Sequence, residues 1–135
     1  MQLTKIVVAT LLFTSMAFGD GNVTIHSDYN KTIELAKKEK KPIFMLFTKE
    51  QCRWCEKLKS KLFENEEIAK MLEEEYLILY LDKEKSVYPQ KYEVKGVPDV
   101  FLISESEEVY TEILGYRPKP KDYLKWFKYV RIERD

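Results

Sequence analysis

Four stretches of this chain have the length and composition of β-strands. The first two, Ile43–Thr48 and residues 76–81, are almost continuously apolar, which is typical of strands buried on both faces. A third apolar run covers residues 100–103. Residues 104–107 have the composition of a turn that leads into a fourth strand at 108–114, so the last two strands are predicted to pair antiparallel.

Between these strands the apolar residues recur every three or four positions, as on the buried side of an amphipathic helix. The spacing predicts a helix over about 28–40, a long helix over 52–72 with an interruption near Asn65, a short helix over 86–92, and a last helix that starts near residues 118–122. Strands separated by helices favour parallel pairing through right-handed crossovers, and the final hairpin adds antiparallel strands. The expected fold is α/β, a central mixed β-sheet flanked by helices.

Residues 1–19 have the features of a signal peptide, and residues 20–135 those of one domain. Lys5 is the only charged residue of the leader, an apolar stretch follows it, and Ala17 and Gly19 precede Asp20 as small residues precede a cleavage site. The apolar stretch is shorter than the ~20 residues that a membrane-spanning helix needs, so an uncleaved anchor is the weaker alternative. We expect a periplasmic or secreted protein.

The charge balance argues against nucleic acid as a partner. The 135 residues contain 23 Lys and Arg and 23 Asp and Glu, without the basic excess that binding to phosphates draws on. The only histidine is His26, which excludes a histidine-rich metal site and a haem attachment motif.

The chemistry that the sequence does offer lies at Cys52 and Cys55, in the first turn of the predicted long helix. Residues at this spacing share one helix face, which allows a disulfide to form and open. The helix amino end favours the Cys52 thiolate, so Cys52 is the expected nucleophile and Cys55, one turn further in, is expected to resolve a mixed disulfide. A stabilising disulfide is the alternative, but so short a loop removes little entropy from the unfolded chain.

Charged neighbours are expected to modulate the ionisation of Cys52. Arg53 favours the thiolate, whereas Glu50 and Glu56 oppose it. The sequence does not decide which effect is larger, so the direction of electron flow stays open.

Two aromatic residues have alternative interpretations. Trp54 either belongs to the surface that partners contact or covers the helix end. Tyr116 either lines a rim near Pro98 or packs over the end of the hairpin, and packing is the more common role of such a tyrosine.

The sequence resembles the thioredoxin-like family, in particular its exported members with a Cys-x-Trp-Cys centre. The resemblance covers about residues 25–130 and rests on Cys52-Arg53-Trp54-Cys55-Glu56-Lys57-Leu58 and on Gly96-Val97-Pro98 before the third strand. It implies a thioredoxin-like fold with a cis bond between Val97 and Pro98, beside Cys52, where backbone groups would pair with an extended substrate. An ordinary proline at a strand start is the alternative.

This sequence departs from the family pattern at three positions. Leu46 and Ile78 stand where many thioredoxins have a buried Asp and a Lys that help to deprotonate the second cysteine, and Gln51 replaces the usual Trp. Water, Glu50 or a substrate group is then left to accept the proton of Cys55.

We therefore expect an exported thiol–disulfide oxidoreductase for protein or small-molecule disulfides, with Cys52 and Cys55 as catalytic residues and Trp54, Val97 and Pro98 as substrate-binding residues. The resemblance favours a reductase. Outside the cytosol a reductase requires a membrane redox donor, and an oxidase requires a reoxidant. We expect a monomer that needs no cofactor or metal. The rival hypothesis is a binding module or chaperone whose cysteine pair is idle or holds Cu(I).

Overall fold

The computed structural model describes residues 23–135, which form a five-stranded sheet with helices on both faces. The predicted leader lies outside the described residues. The elements in chain order are β1 (Ile25–His26), α1 (Tyr29–Glu39), β2 (Ile43–Thr48), α2 (Arg53–Glu64), α3 (Glu66–Glu75), β3 (Leu77–Asp82), β4 (Asp99–Ile103), β5 (Val109–Leu114) and α4 (Lys121–Arg134). Within 23–135, no helix combines the length and the apolar character needed to cross a membrane.

The helix ends follow from local capping. Asp28 precedes α1 and its carboxylate accepts the N–H of Lys31 at 2.9 Å, and the helix ends at Lys40 in left-handed backbone with φ of 55°. The interruption predicted in the long helix is confirmed: α2 ends before Asn65, whose side chain accepts the N–H of Ile68 at 2.9 Å and so begins α3.

The strand order is β1-β3-β2-β4-β5, which confirms a mixed sheet. β2 is parallel to β3 and antiparallel to β4, so the parallel pairing expected for the third predicted strand is wrong. The chain passes from β3 to β4 without a helix that would return it to the opposite edge. β4 therefore begins at the edge where β3 ends and runs in the opposite direction.

Residues 83–98 join β3 to β4 as turns and coil, and the helix predicted over 86–92 is wrong. Pro89 has no N–H to donate, and it disfavours helical backbone at Tyr88. Instead the rings of Tyr88 and Tyr92 pack on Phe47, with centroid distances of 4.7 and 6.4 Å, and Tyr92 also packs on Phe101 at 5.4 Å. Ring packing therefore fixes this segment against the sheet.

β1 is a two-residue strand that was not predicted, because two residues are too few to show an alternating pattern. It pairs parallel with β3, with Ile25 opposite Ile78. Its second residue, His26, is half-exposed.

The sheet separates two apolar clusters because successive side chains of a strand point to opposite faces. On β2, Phe44 and Leu46 pack with residues of α2, α3 and α4, whereas Met45 and Phe47 pack with residues of α1 and of the 83–98 segment. Helix α2, and with it the cysteine pair, therefore lies on the Leu46 face of the sheet.

Candidate active site

The cysteine pair lies at the edge of the sheet where the parallel strands β2 and β3 end. The N–H of Lys83 donates to the carbonyl of Thr48 at 2.8 Å and joins the two strand ends. Residues 49–52 then turn the chain into α2, with Gln51 in left-handed backbone at φ of 56°. The start of α2 is thus positioned by the end of the central strand.

Cys52 and Cys55 form a disulfide, with their Cα atoms 5.2 Å apart. Cys52 is the N-cap of α2, and its Sγ accepts the backbone N–H of Cys55 at 3.2 Å. Cys52 is half-buried, whereas Cys55 is 1% exposed. The sulfur that a partner can reach is that of Cys52, at the positive end of the helix dipole, and this difference in exposure has the sense predicted from the sequence.

The charges around the pair are unequally compensated. Glu50 forms an ion pair with Lys85, and Glu56 forms one with Lys59 at 2.9 Å. Arg53 makes no ion pair with any residue of 23–135. Both carboxylates expected to oppose a Cys52 thiolate are therefore partly neutralised.

Pro98 reaches the same edge because β4 begins there. Asp99 lies opposite Phe47, one residue before the end of β2, and the Val97–Pro98 peptide bond is cis. The carbonyl of Pro98 accepts the N–H of Gly115 at 2.8 Å, whereas the N–H and C=O of Val97 have no backbone partner in the described part of the chain. These free groups are what an added strand would pair with.

Trp54 and Tyr116 form an exposed aromatic contact beside the pair. Trp54 is 46% exposed, and its ring lies 5.3 Å from that of Tyr116, with 37° between the planes. Gly115, with φ of 83°, turns the chain after β5 and allows this contact. Tyr116 is half-buried and packs against the apolar cluster on the Leu46 face as well as against Trp54, and its place on a rim near Pro98 stays a prediction.

Asp99 is a residue of this edge that sequence reasoning missed. It is 0% exposed, and neither carboxylate oxygen has a hydrogen-bond partner within residues 23–135. Burial, together with the nearby carboxylate of Glu112, raises the pKa of Asp99 to about 8, and Lys83 opposes the shift. The only signal in the sequence was a charged residue between Pro98 and an apolar run.

The described residues contain no group of three or more His, Cys, Asp and Glu side chains arranged to hold a metal ion. The cysteine pair at this edge is disulfide-bonded in the structure. The chemistry available to it is the opening and closing of a disulfide between a reachable and a buried sulfur.

Known proteins resemble this chain in sequence or in structure. Residues 29–131 match the model of the family described as thioredoxin-like domain. Mouse anterior gradient protein 3 is 27% identical over 114 residues, which are 80% of this chain and 68% of that protein. Mouse spermatogenesis-associated protein 20 is 36% identical over 55 residues, 41% of this chain, and the match spans only 7% of that protein's length.

A solved structure, DsbH oxidoreductase, has a TM-score of 0.63 at 21% identity and covers 78% of this chain and 82% of that one. Its likeness supports the fold. Because the family model covers well over half of the residues, this chain belongs to the thioredoxin-like family.

Proposed function

We propose that this chain is an exported thiol–disulfide oxidoreductase in which Cys52 attacks and Cys55 resolves. The observation that carries the proposal is the disulfide at the amino end of α2, with a half-buried outer cysteine and an inner cysteine that is 1% exposed. Membership of the thioredoxin-like family supports dithiol–disulfide exchange in general. The direction of electron flow, the substrates and the export are the finer parts of the proposal.

In the reducing direction the Cys52 thiolate attacks one sulfur of a substrate disulfide. The substrate S–S bond breaks, and the other substrate sulfur leaves as a thiolate that takes up a proton. Cys55 then loses its proton and attacks the Sγ of Cys52, which releases the second substrate thiolate and forms the Cys52–Cys55 disulfide. Two electrons pass from the cysteine pair to the substrate, and oxidation of a substrate is the reverse.

Neither Leu46 nor Ile78 has a group that could accept the proton of Cys55. Leu46 and Ile78, which occupy the positions of the family's acid and lysine, pack in the same apolar cluster as Leu58. Glu50 forms an ion pair with Lys85. Water, Glu50 or a group of the substrate is left to accept the proton.

Val97, Pro98 and Trp54 would bind the substrate. The N–H and C=O of Val97 lack backbone partners within 23–135, and an extended peptide could pair with them as an added strand. Trp54 is 46% exposed and offers an apolar ring face next to Cys52. An extended segment of a protein around a disulfide fits these groups.

The roles of the two cysteines are tested by trapping. Reduced Cys55→Ser protein, mixed with a peptide disulfide, should accumulate a one-to-one adduct that dithiothreitol reverses, because the resolving thiol is gone. Intact-mass spectrometry measures it, and Cys52→Ser is the matched control that should form little adduct. If both variants form adduct equally, or neither does, the assignment is wrong. Tight Cu(I) binding without adducts would instead favour a binding module.

The direction of electron flow is tested by the equilibrium reduction potential of the pair against glutathione. We favour the reductase, for which a reduction potential of about −270 mV is expected. A reduction potential of about −120 mV would indicate an oxidase. A reductase outside the cytosol would need a membrane redox donor.

Export and oligomeric state have separate tests. Residues 1–19 are proposed to be a cleaved leader, so the exported protein should begin at Asp20, as amino-terminal sequencing of the periplasmic or secreted fraction would show. Full-length protein in that fraction would contradict cleavage. Sedimentation of the mature protein should give the mass of a monomer.

A further inference from the structure

Four side chains beside the disulfide form a surface that combines aromatic rings with positive charge. The Nζ of Lys57 lies 5.0 Å from the ring centre of Trp54 and 5.2 Å from that of Tyr116. The guanidinium carbon of Arg53 lies 5.4 Å from the ring centre of Trp54. Arg53, Trp54, Lys57 and Tyr116 are called the basic aromatic platform below.

No ion pair among residues 23–135 compensates the positive charge of the basic aromatic platform. Arg53 and Lys57 are exposed and form no ion pair with any residue of 23–135. The acidic residues next to them in sequence, Glu50 and Glu56, are engaged with Lys85 and Lys59. The amino end of α2 adds partial positive charge at the same place.

This surface adjoins Cys52, because Trp54 and Lys57 belong to the first turns of the helix that Cys52 caps. A carboxylate beside the attacked cysteine would meet Lys57 or Arg53, and its aliphatic carbons would lie on the Trp54 ring. A lysine at the same position would meet like charge, which disfavours binding.

We propose that the basic aromatic platform selects disulfides whose reactive cysteine is flanked by acidic residues, with Lys57 as a specificity-determining residue. This inference rests on the proposed function, since it concerns the substrate class of the same cysteine pair. Electrostatic complementarity of this kind mainly raises the rate of productive encounter, and added salt screens it.

The test uses three peptides, each with one cysteine in a mixed disulfide with thionitrobenzoate and flanked by Glu, Gln or Lys. The Cys52 thiolate attacks the peptide sulfur, the S–S bond breaks and coloured thionitrobenzoate leaves. Cys55 then displaces the peptide thiolate, so the two electrons come from the reduced pair. Each rate is divided by the rate of the same peptide with dithiothreitol, which removes intrinsic differences between peptides.

At low ionic strength the reduced protein should react with the Glu-flanked peptide about fivefold faster than with the Gln-flanked peptide, compared as second-order rate constants of a single turnover, the effect of one favourable surface ion pair. Lys57→Gln should lower the ratio to about one, Lys57→Glu should reverse it, and 0.5 M salt (roughly a 4 Å screening length) should reduce it. Lys128 is an exposed residue of α4. The control Lys128→Gln makes the same charge change there and should keep the wild-type ratio.

The two proposals fail in different ways. If no peptide releases thionitrobenzoate faster than with Cys52→Ser protein, the proposed function is wrong. If all three peptides react but the wild-type ratio is near one, the selectivity proposal is overturned. It is also overturned if Lys57→Gln slows the three peptides equally and leaves the ratio unchanged, because Lys57 then acts on the thiolate alone. Circular dichroism checks that the variants are folded.

Discussion

Asp99 carries a buried carboxyl group beside the proposed substrate-binding residues Val97 and Pro98. Burial raises its pKa from the ordinary 3.8 to about 8, with a further contribution from Glu112. The folded protein therefore holds this proton more tightly than the unfolded chain does. The stability that Asp99 contributes is fully present below about pH 4 and is lost as the pH rises through about 8.

We predict that Asp99→Asn stabilises the protein near pH 8 and has a much smaller effect below pH 4, because the amide cannot ionise. The gain in the free energy of unfolding at pH 8 should be several kcal/mol and at most roughly 6 kcal/mol, since the shift covers about four pKa units and each unit corresponds to ~1.4 kcal/mol. Urea unfolding at several pH values measures it. Glu84→Gln removes one exposed carboxylate and serves as the control; equal pH profiles for both variants would contradict the prediction.

At the scale of elements, Asn65 separates two helices that the apolar stripe alone would join. Its Oδ1 accepts the N–H of Ile68 at 2.9 Å, and its own backbone is extended. Asn65→Ala should lower the free energy of unfolding by about 1 kcal/mol, the usual cost of losing an N-cap. Asn65→Asp keeps an acceptor there and should retain wild-type stability. Urea midpoints compare the three proteins, and an Asn65→Ala midpoint equal to that of the wild type would show that the cap contributes nothing.

The elements with a local signal were predictable from the sequence, and those set by distant contacts were not. The continuous apolar run of Ile43–Thr48 and the helical spacing after Cys52 are local patterns, so strand, helix and cysteine pair were all predicted. The direction of β4 depends on where the chain leaves β3. The coil over 83–98 depends on ring contacts with other strands, and the contact between Trp54 and Tyr116 joins residues that are far apart in the sequence.

At the scale of the whole molecule, the two faces of the sheet are covered differently. Three helices cover one face, whereas α1 and the 83–98 segment cover the other. Tyr92 is central to that second cover: it is 3% exposed, its ring packs on Phe101 at 5.4 Å, and its hydroxyl is hydrogen-bonded to that of Tyr29 at 2.7 Å. The same segment ends at Pro98, so its packing also holds the proposed substrate-binding loop.

We predict that Tyr92→Ala lowers both the stability and the exchange activity, because it removes a buried ring from the segment that carries Val97 and Pro98. The free energy of unfolding should fall by about 3 to 5 kcal/mol, as for other large aromatic truncations. Tyr92→Phe keeps the ring and loses one hydrogen bond, so it should cost about 1 kcal/mol and leave the activity near wild type. Hydrogen exchange should show lost protection in residues 83–98 of the alanine variant. The alanine variant could lose protection in residues 83–98 and still react with peptide disulfides as fast as the wild type does. That result would show that residues 83–98 do not hold the substrate-binding loop.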